Sequence, residues 1–91
     1  MTTAIVLINA ERTKINSVGE QLASIEGISE VYSVTGRFDL IAIIRLSSNE
    51  DLAELITSKI TKVEGIISTE SMIALKTLSM RDIASMFDLG N

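Results

Sequence analysis

The residues of this chain best placed to do chemistry gather in two short stretches. Thr35, Gly36, Arg37 and Asp39 lie within five positions, between the apolar runs of residues 31–34 and 40–44. The Asp39 carboxylate offers an acceptor for an ammonium group. Backbone N–H groups around Gly36, where a tight turn is easily made, offer donors for a carboxylate. Thr35 adds a hydroxyl. The second stretch is Ser68-Thr69-Glu70-Ser71, in which Thr69 and Ser71 fall on one face of an extended strand. One anion with several amides and hydroxyls suits a ligand that carries both an ammonium and a carboxylate, such as an amino acid. Two plainer roles fit the same residues: Asp39 as a turn cap, and Thr69 with Ser71 as the polar filling of an edge strand.

Composition narrows the field. The 91 residues contain no Cys, no His and no Trp. Thiol catalysis, His-based proton transfer and the usual zinc sites are therefore excluded. No cofactor and no metal are expected. Serines and threonines are frequent, but none has a base beside it in sequence. Glu50, Asp51 and Glu54 are placed as the charges of a helix N-terminus rather than as metal ligands. The net charge is −4, with eight Lys and Arg scattered along the chain. This pattern argues against direct nucleic-acid binding. No apolar run approaches the length of a membrane span, and residues 1–8 do not read as a secretory signal. A cytoplasmic protein is expected.

The elements that must position these residues follow from periodicity. Residues 3–9 carry the continuous run Ala4-Ile5-Val6-Leu7-Ile8 and predict a central strand. Ile15, Val18, Leu22 and Ile25 share one face of a helix over residues 14–25, which Gly27 ends. Residues 28–34 and 38–46 predict two strands joined in a hairpin with a polar tip of Thr35, Gly36, Arg37 and Asp39. A second helix is predicted from a cap at Ser47, Ser48 or Asn49 to Val63, with Leu52, Leu55, Ile56 and Ile60 inward. Residues 66–75 complete a fourth strand. Ile25-Glu26-Gly27-Ile28 recurs as Val63-Glu64-Gly65-Ile66, so each half reads as strand–helix–strand. The sum is an α+β, ferredoxin-like βαββαβ domain over residues 1–78, with a four-stranded antiparallel sheet and two helices on one face. Residues 79–91 form a tail, with a short helix expected at 79–88.

That arrangement creates a shortage of cover. The first and third strands are apolar on both faces, and two helices cover one face only. The chain is also 46% apolar at a length that leaves a lone copy marginal. A face-to-face dimer of sheets is expected.

The run Val31-Tyr32-Ser33-Val34-Thr35-Gly36-Arg37-Phe38-Asp39-Leu40 resembles the V-x-x-V-T-G-x-[YF]-D-[LY] signature of the effector domain of the Lrp/AsnC regulators. Gly65-Ile66-Ile67-Ser68-Thr69-Glu70-Ser71-Met72-Ile73-Ala74-Leu75 resembles the G-V-x-x-T-x-T-x-I-x-L fourth strand of the same domain. Ile66 here replaces Val, and Ser71 replaces the second Thr. The resemblance spans residues 3 to about 76. It implies a non-catalytic module that senses an amino-acid effector, with ligand-binding residues at Thr35, Gly36, Arg37, Phe38 and Asp39, and at Thr69 and Ser71. It also implies dimers that join into octamers or similar rings, with the effector held between dimers. Members of that family begin with a helix-turn-helix domain. Here the first strand starts at Thr3, so a stand-alone effector domain is expected, acting through a DNA-binding relative or a metabolic enzyme. The competing expectation is a ferredoxin-like dimeric enzyme of the monooxygenase or isomerase kind, with its reaction in a cavity between sheet and helices.

Overall fold

The computed structural model describes residues 1–80. The expected tail helix at 79–88 therefore lies almost wholly outside the described residues. The elements run β1 (Thr2–Ala10), α1 (Ile15–Ala23, entered through a 3-10 turn at Arg12–Lys14), β2 (Ile28–Ser33), β3 (Leu40–Leu46), α2 (Asn49–Glu54) and β4 (Ile66–Ile73). The sheet is ordered β2-β3-β1-β4, with every neighbour antiparallel. This is the ferredoxin-like arrangement, with β1 and β3 central as their two-sided apolar sequences require.

Register sorts the side chains into two faces. On the helix-covered face, the cross-sheet rows are Ile73–Ala4–Ile44–Ile28, Ser71–Val6–Ala42–Val31 and Thr69–Ile8–Leu40–Ser33. The β1 and β3 members of these rows are buried, and they meet Val18 and Leu22 of α1 and Leu52 of α2 in one core. On the open face, the rows are Met72–Ile5–Ile43–Glu30 and Glu70–Leu7–Ile41–Tyr32. No element of the described chain lies over that face, and its four central aliphatic residues remain partly exposed.

The two halves brace one another across the sheet. After α1, the Gly27 carbonyl accepts the Arg45 N–H at 2.9 Å, which ties the first helix exit to the end of β3. After the second helix, the Gly65 carbonyl accepts the Glu11 N–H at 2.7 Å, which ties that exit to the end of β1. The sequence repeat thus corresponds to a repeated structural device.

Three boundaries differ from the periodic expectation. The third strand begins at Leu40 rather than at residue 38, because Phe38 and Asp39 belong to the turn. The fourth stops at Ile73, opposite Ala4, although β1 continues to Thr2; beyond it the Ala74 N–H donates to Thr3 O at 2.9 Å. The second helix is capped by Ser48, whose Oγ accepts the Asp51 N–H at 3.1 Å. It is not one regular helix to Val63. It is α-helical to Glu54, widens to a π-helical stretch at Leu55–Lys59 and tightens to a 3-10 turn at Ile60–Lys62. Thr57 and Thr61 donate their hydroxyls to the carbonyls of Ala53 and Thr57 through this stretch. Such side-chain competition for helical carbonyls bends and loosens a helix.

Two turn glycines separate backbone strain from crowding. Gly27 has φ +102° and Gly36 has φ +112°. A Cβ at Gly27 would lie 2.7 Å from Leu46 Cδ2 and 2.8 Å from Leu55 Cδ1, whereas one at Gly36 would meet nothing within 4 Å. Gly36→Ala should cost about 1–2 kcal/mol from the backbone alone. Gly27→Ala should add about 1–3 kcal/mol of overpacking. Urea unfolding of the two variants checks the order, and equal losses would contradict it.

Candidate functional site

The hairpin between β2 and β3 closes over residues 34–39, with the Val34 N–H donating to Asp39 O at 3.0 Å. Thr35, Gly36 and Arg37 form its exposed tip, and Phe38 and Asp39 are partly buried at its base. The Arg37 guanidinium carbon sits 5.9 Å from the centroid of the Phe38 ring, within range of a cation–π contact. The expected hairpin residues are therefore held together as one surface.

Asp39 is bound to β1 through two further bonds. Its N–H donates to Ile8 O at 2.9 Å, and its Oδ2 accepts the Ala10 N–H at 2.9 Å. The second bond has a clear structural cause. The β1–β3 pairing ends at Ile8 opposite Leu40, so the last residues of β1 have no β3 backbone beside them. The β1–β4 register also shifts between Asn9 and Ala10. The Asp39 carboxylate supplies the acceptor that a longer β3 would have provided. Sequence reasoning allowed Asp39 a role as a cap within its own turn. The partner is instead a strand 29 residues away. No local signal points to Ala10. The other carboxylate oxygen, Oδ1, is left with no protein hydrogen bond among the described residues.

Thr69 and Ser71 lie side by side on β4 and on the helix-covered face, as their shared parity requires. Their rows place Ile8 and Val6 between them and β3. Two strand spacings, about 10 Å, therefore separate them from the hairpin side of the sheet. Both are exposed. One copy of the chain thus brings residues 35–39 together and Thr69 and Ser71 together, but does not join the two groups in a single cavity. Two hollows lie elsewhere: one of about 170 Å³ between Glu26, Leu46 and the second helix, and a more apolar groove of about 300 Å³ between α2 and Ile73.

A third polar group, which no spacing or motif singles out, occupies β2 and the end of β3. Tyr32 donates its hydroxyl to Glu30 Oε2, and Arg45 donates from Nη1 to Ser29 Oγ at 2.8 Å and to Glu30 Oε1 at 3.4 Å. The Tyr32 hydrogen bond, supported by Arg45, lowers the Glu30 pKa; the same bond and the carboxylate charge raise that of Tyr32. Tyr32 and Glu30 end the two rows of the open face, so this cluster forms its polar border. No group of carboxylates among the described residues is arranged to hold a metal ion. No helix among them is long and apolar enough to cross a membrane.

Comparison with known proteins places this geometry. Residues 3–83 match the family model described as the Lrp/AsnC ligand binding domain. An uncharacterized HTH-type transcriptional regulator of Pyrococcus horikoshii is 31% identical over 80 residues, which cover 85% of this chain and 53% of that protein. The chain thus spans about half the length of the curated relatives it matches. The crystal structure of TTHA0845 from Thermus thermophilus superposes with a TM-score of 0.82 at 38% identity, covering 87% of this chain and 99% of that one. A feast or famine regulatory protein from M. tuberculosis, solved in complex with L-methionine, superposes with a TM-score of 0.72 at 26% identity, over 89% of this chain and 55% of that one. With the hairpin signature, the sheet order and a match across nearly all of its length, the chain belongs to the Lrp/AsnC ligand-binding domain family.

Proposed function

We propose that this chain is a non-catalytic sensor of an amino-acid effector, and that its binding surface is completed by association with further copies. The observation that carries this reading is the hairpin. Asp39 is fixed by three bonds to Val34, Ile8 and Ala10, yet keeps Oδ1 for a ligand. An α-ammonium group is the complement of that oxygen, and exposed N–H groups at residues 35–37 complement a carboxylate. Arg37 and Phe38 flank the surface. Thr69 and Ser71 lie too far across the sheet to serve the same ligand within one copy, so they contribute through a neighbouring copy. The methionine complex of the M. tuberculosis relative supports an amino acid as the ligand class.

Association starts on the open face. Ile5, Leu7, Ile41 and Ile43 form a contiguous apolar centre, bordered by Tyr32, Met72 and the Glu30–Arg45 pair. A second copy laid face to face would bury this centre and leave the charged border at the rim, the usual layout of an obligate interface. Dimers would then join into larger rings. Relatives described as HTH-type regulators are about twice as long as this chain. The eight Lys and Arg of this sequence are dispersed rather than gathered in one stripe, so this domain is read as acting in regulation with a DNA-binding relative or a metabolic enzyme rather than by gripping DNA with its own cations. The enzyme alternative is the weaker reading: the hollow that gathers Glu26, Asp51, Glu54 and Lys59 holds them all at exposed positions, and the apolar groove has no charged residue in its lining.

Two outcomes test this reading. Light scattering at micromolar concentration should return a mass at least twice 9.9 kDa, and Ile43→Lys, which places a charge at the centre of the open face, should lower it. A monomeric parent chain would contradict the association. For the ligand, Asp39→Asn keeps an oxygen acceptor for the Ala10 N–H, so its thermal midpoint should stay close to the parent's. Calorimetry across the twenty common amino acids, repeated with this variant, should show binding weakened about ten- to a hundredfold, the worth of about 1.5–3 kcal/mol for a charge-assisted hydrogen bond. Unchanged affinity would make Asp39 purely a fastening between the hairpin and β1.

A further inference from the structure

The chain does not stop where the sheet does. β4 ends at Ile73, and the Ala74 N–H makes the last bond to β1. Residues 74–79 belong to neither helix nor strand. This arm is not polar: it carries Leu75, Leu78 and Met80, which are 97%, 72% and 81% exposed. Single exposed aliphatic residues are ordinary on a protein surface, but three within six positions form a stripe that water solvates poorly.

The root of the arm lies at an apolar groove. Asn49, Leu52, Ala53 and Ile56 of the second helix line it with Ile73, the residue from which the arm departs. Its volume of about 300 Å³ can receive more than one aliphatic side chain. The arm leaves this groove rather than filling it. Leu75, two positions beyond Ile73, would face the same side if the strand continued, yet it is almost wholly in solvent. Donor and receptor are thus present on one chain and unmatched among the described residues. Their charges also agree. The arm has Lys76 and no acidic residue over positions 74–80, while Glu50, Asp51 and Glu54 crowd the helix beside the groove.

We propose that residues 74–80 of one copy cross to a second copy and seat their apolar side chains in its groove between α2 and β4. The exchange is reciprocal under two-fold symmetry, since each copy supplies one arm and one groove. Seven residues span at most about 25 Å when extended, so the two β4 edges must approach one another. The groove lies on the helix-covered side of the sheet, whereas the apolar centre that supports face-to-face dimers lies on the other side. Two self-complementary contacts on opposite sides of one sheet extend assembly beyond a pair. The arm contact does not depend on the amino-acid reading or on the open-face contact.

The absence of cysteine from the sequence makes a direct test available. Ala53 in the groove and Leu78 on the arm are both exposed in the single copy, so Ala53→Cys and Leu78→Cys should leave the fold intact. The two single variants are mixed at micromolar concentration, allowed to exchange and mildly oxidised. A disulfide requires the two Cα atoms to come within about 7 Å. Exchange of arms predicts a mixed disulfide at twice the 9.9 kDa chain mass, several-fold above that of a control pairing Leu78→Cys with Ser17→Cys on α1. Mass spectrometry of the tryptic peptides identifies the partners. The Leu75→Ser, Leu78→Ser double variant should also lower the assembly mass in light scattering. A yield no higher than the control's overturns the proposal. So does a doubly substituted Ala53→Cys, Leu78→Cys chain that closes its disulfide within itself while the mixed singles stay unlinked.

Discussion

The molecule is governed by an inequality of cover: a four-stranded sheet has two faces, and the two helical segments protect only one. On the protected side, Ala4, Val6 and Ile8 of β1 and Leu40, Ala42 and Ile44 of β3 are buried against the helices. On the other, Ile5, Leu7, Ile41 and Ile43 are equally apolar but only partly covered. A strand alternates its side chains, so the unbroken apolar runs at residues 4–8 of β1 and 40–44 of β3 place part of their hydrophobic content on a surface that the described residues do not close. The proposed association with another copy would resolve this physically. The polar border of Glu30, Tyr32 and Arg45 marks where that surface ends.

The hairpin depends on the same sheet. Its tip is a six-residue excursion beyond the paired strands, and such a loop would hold a ligand poorly if it moved freely. The Asp39 side chain removes that freedom by bonding to β1 where β3 has not yet begun to pair. One residue therefore closes the turn through its backbone, ties the turn to the central strand through one carboxylate oxygen and leaves the other without a hydrogen bond among the described residues. A structural role and the proposed ligand-binding role, which compete when Asp39 is considered alone, are compatible in this geometry because the Ala10 N–H occupies only one of the two carboxylate oxygens.

Most of the architecture was legible from spacing. Two-sided apolar runs at residues 4–8 and 40–44 identified the central strands, and the repeated Glu-Gly pairs at 26–27 and 64–65 marked equivalent helix exits. Ser48 was among the anticipated caps. The broken second helix was not legible, since Leu52, Leu55, Ile56 and Ile60 keep helical spacing while the threonines between them redirect hydrogen bonds. The candidate site was visible only in pieces. Gly36 and Asp39 stand out as turn chemistry, and Thr69 with Ser71 as a polar strand face, but the strands that separate the two groups are a property of sheet order. The bond from Ala10 to Asp39 joins residues with no pattern in common. The Tyr32–Glu30–Arg45 cluster escaped notice for a similar reason, because β2 and β3 must pair before Arg45 meets Glu30.

The central claim is that amino-acid recognition belongs to the assembly rather than to one copy. Native mass spectrometry, in the presence of each amino acid at graded concentration, tests it most directly by weighing every species with its ligands. The account predicts amino acid retained on dimers or larger species and absent from any residual monomer, with occupancy rising as the assembly grows. Retention of an amino acid by isolated monomers, or by no species at any concentration, would contradict it.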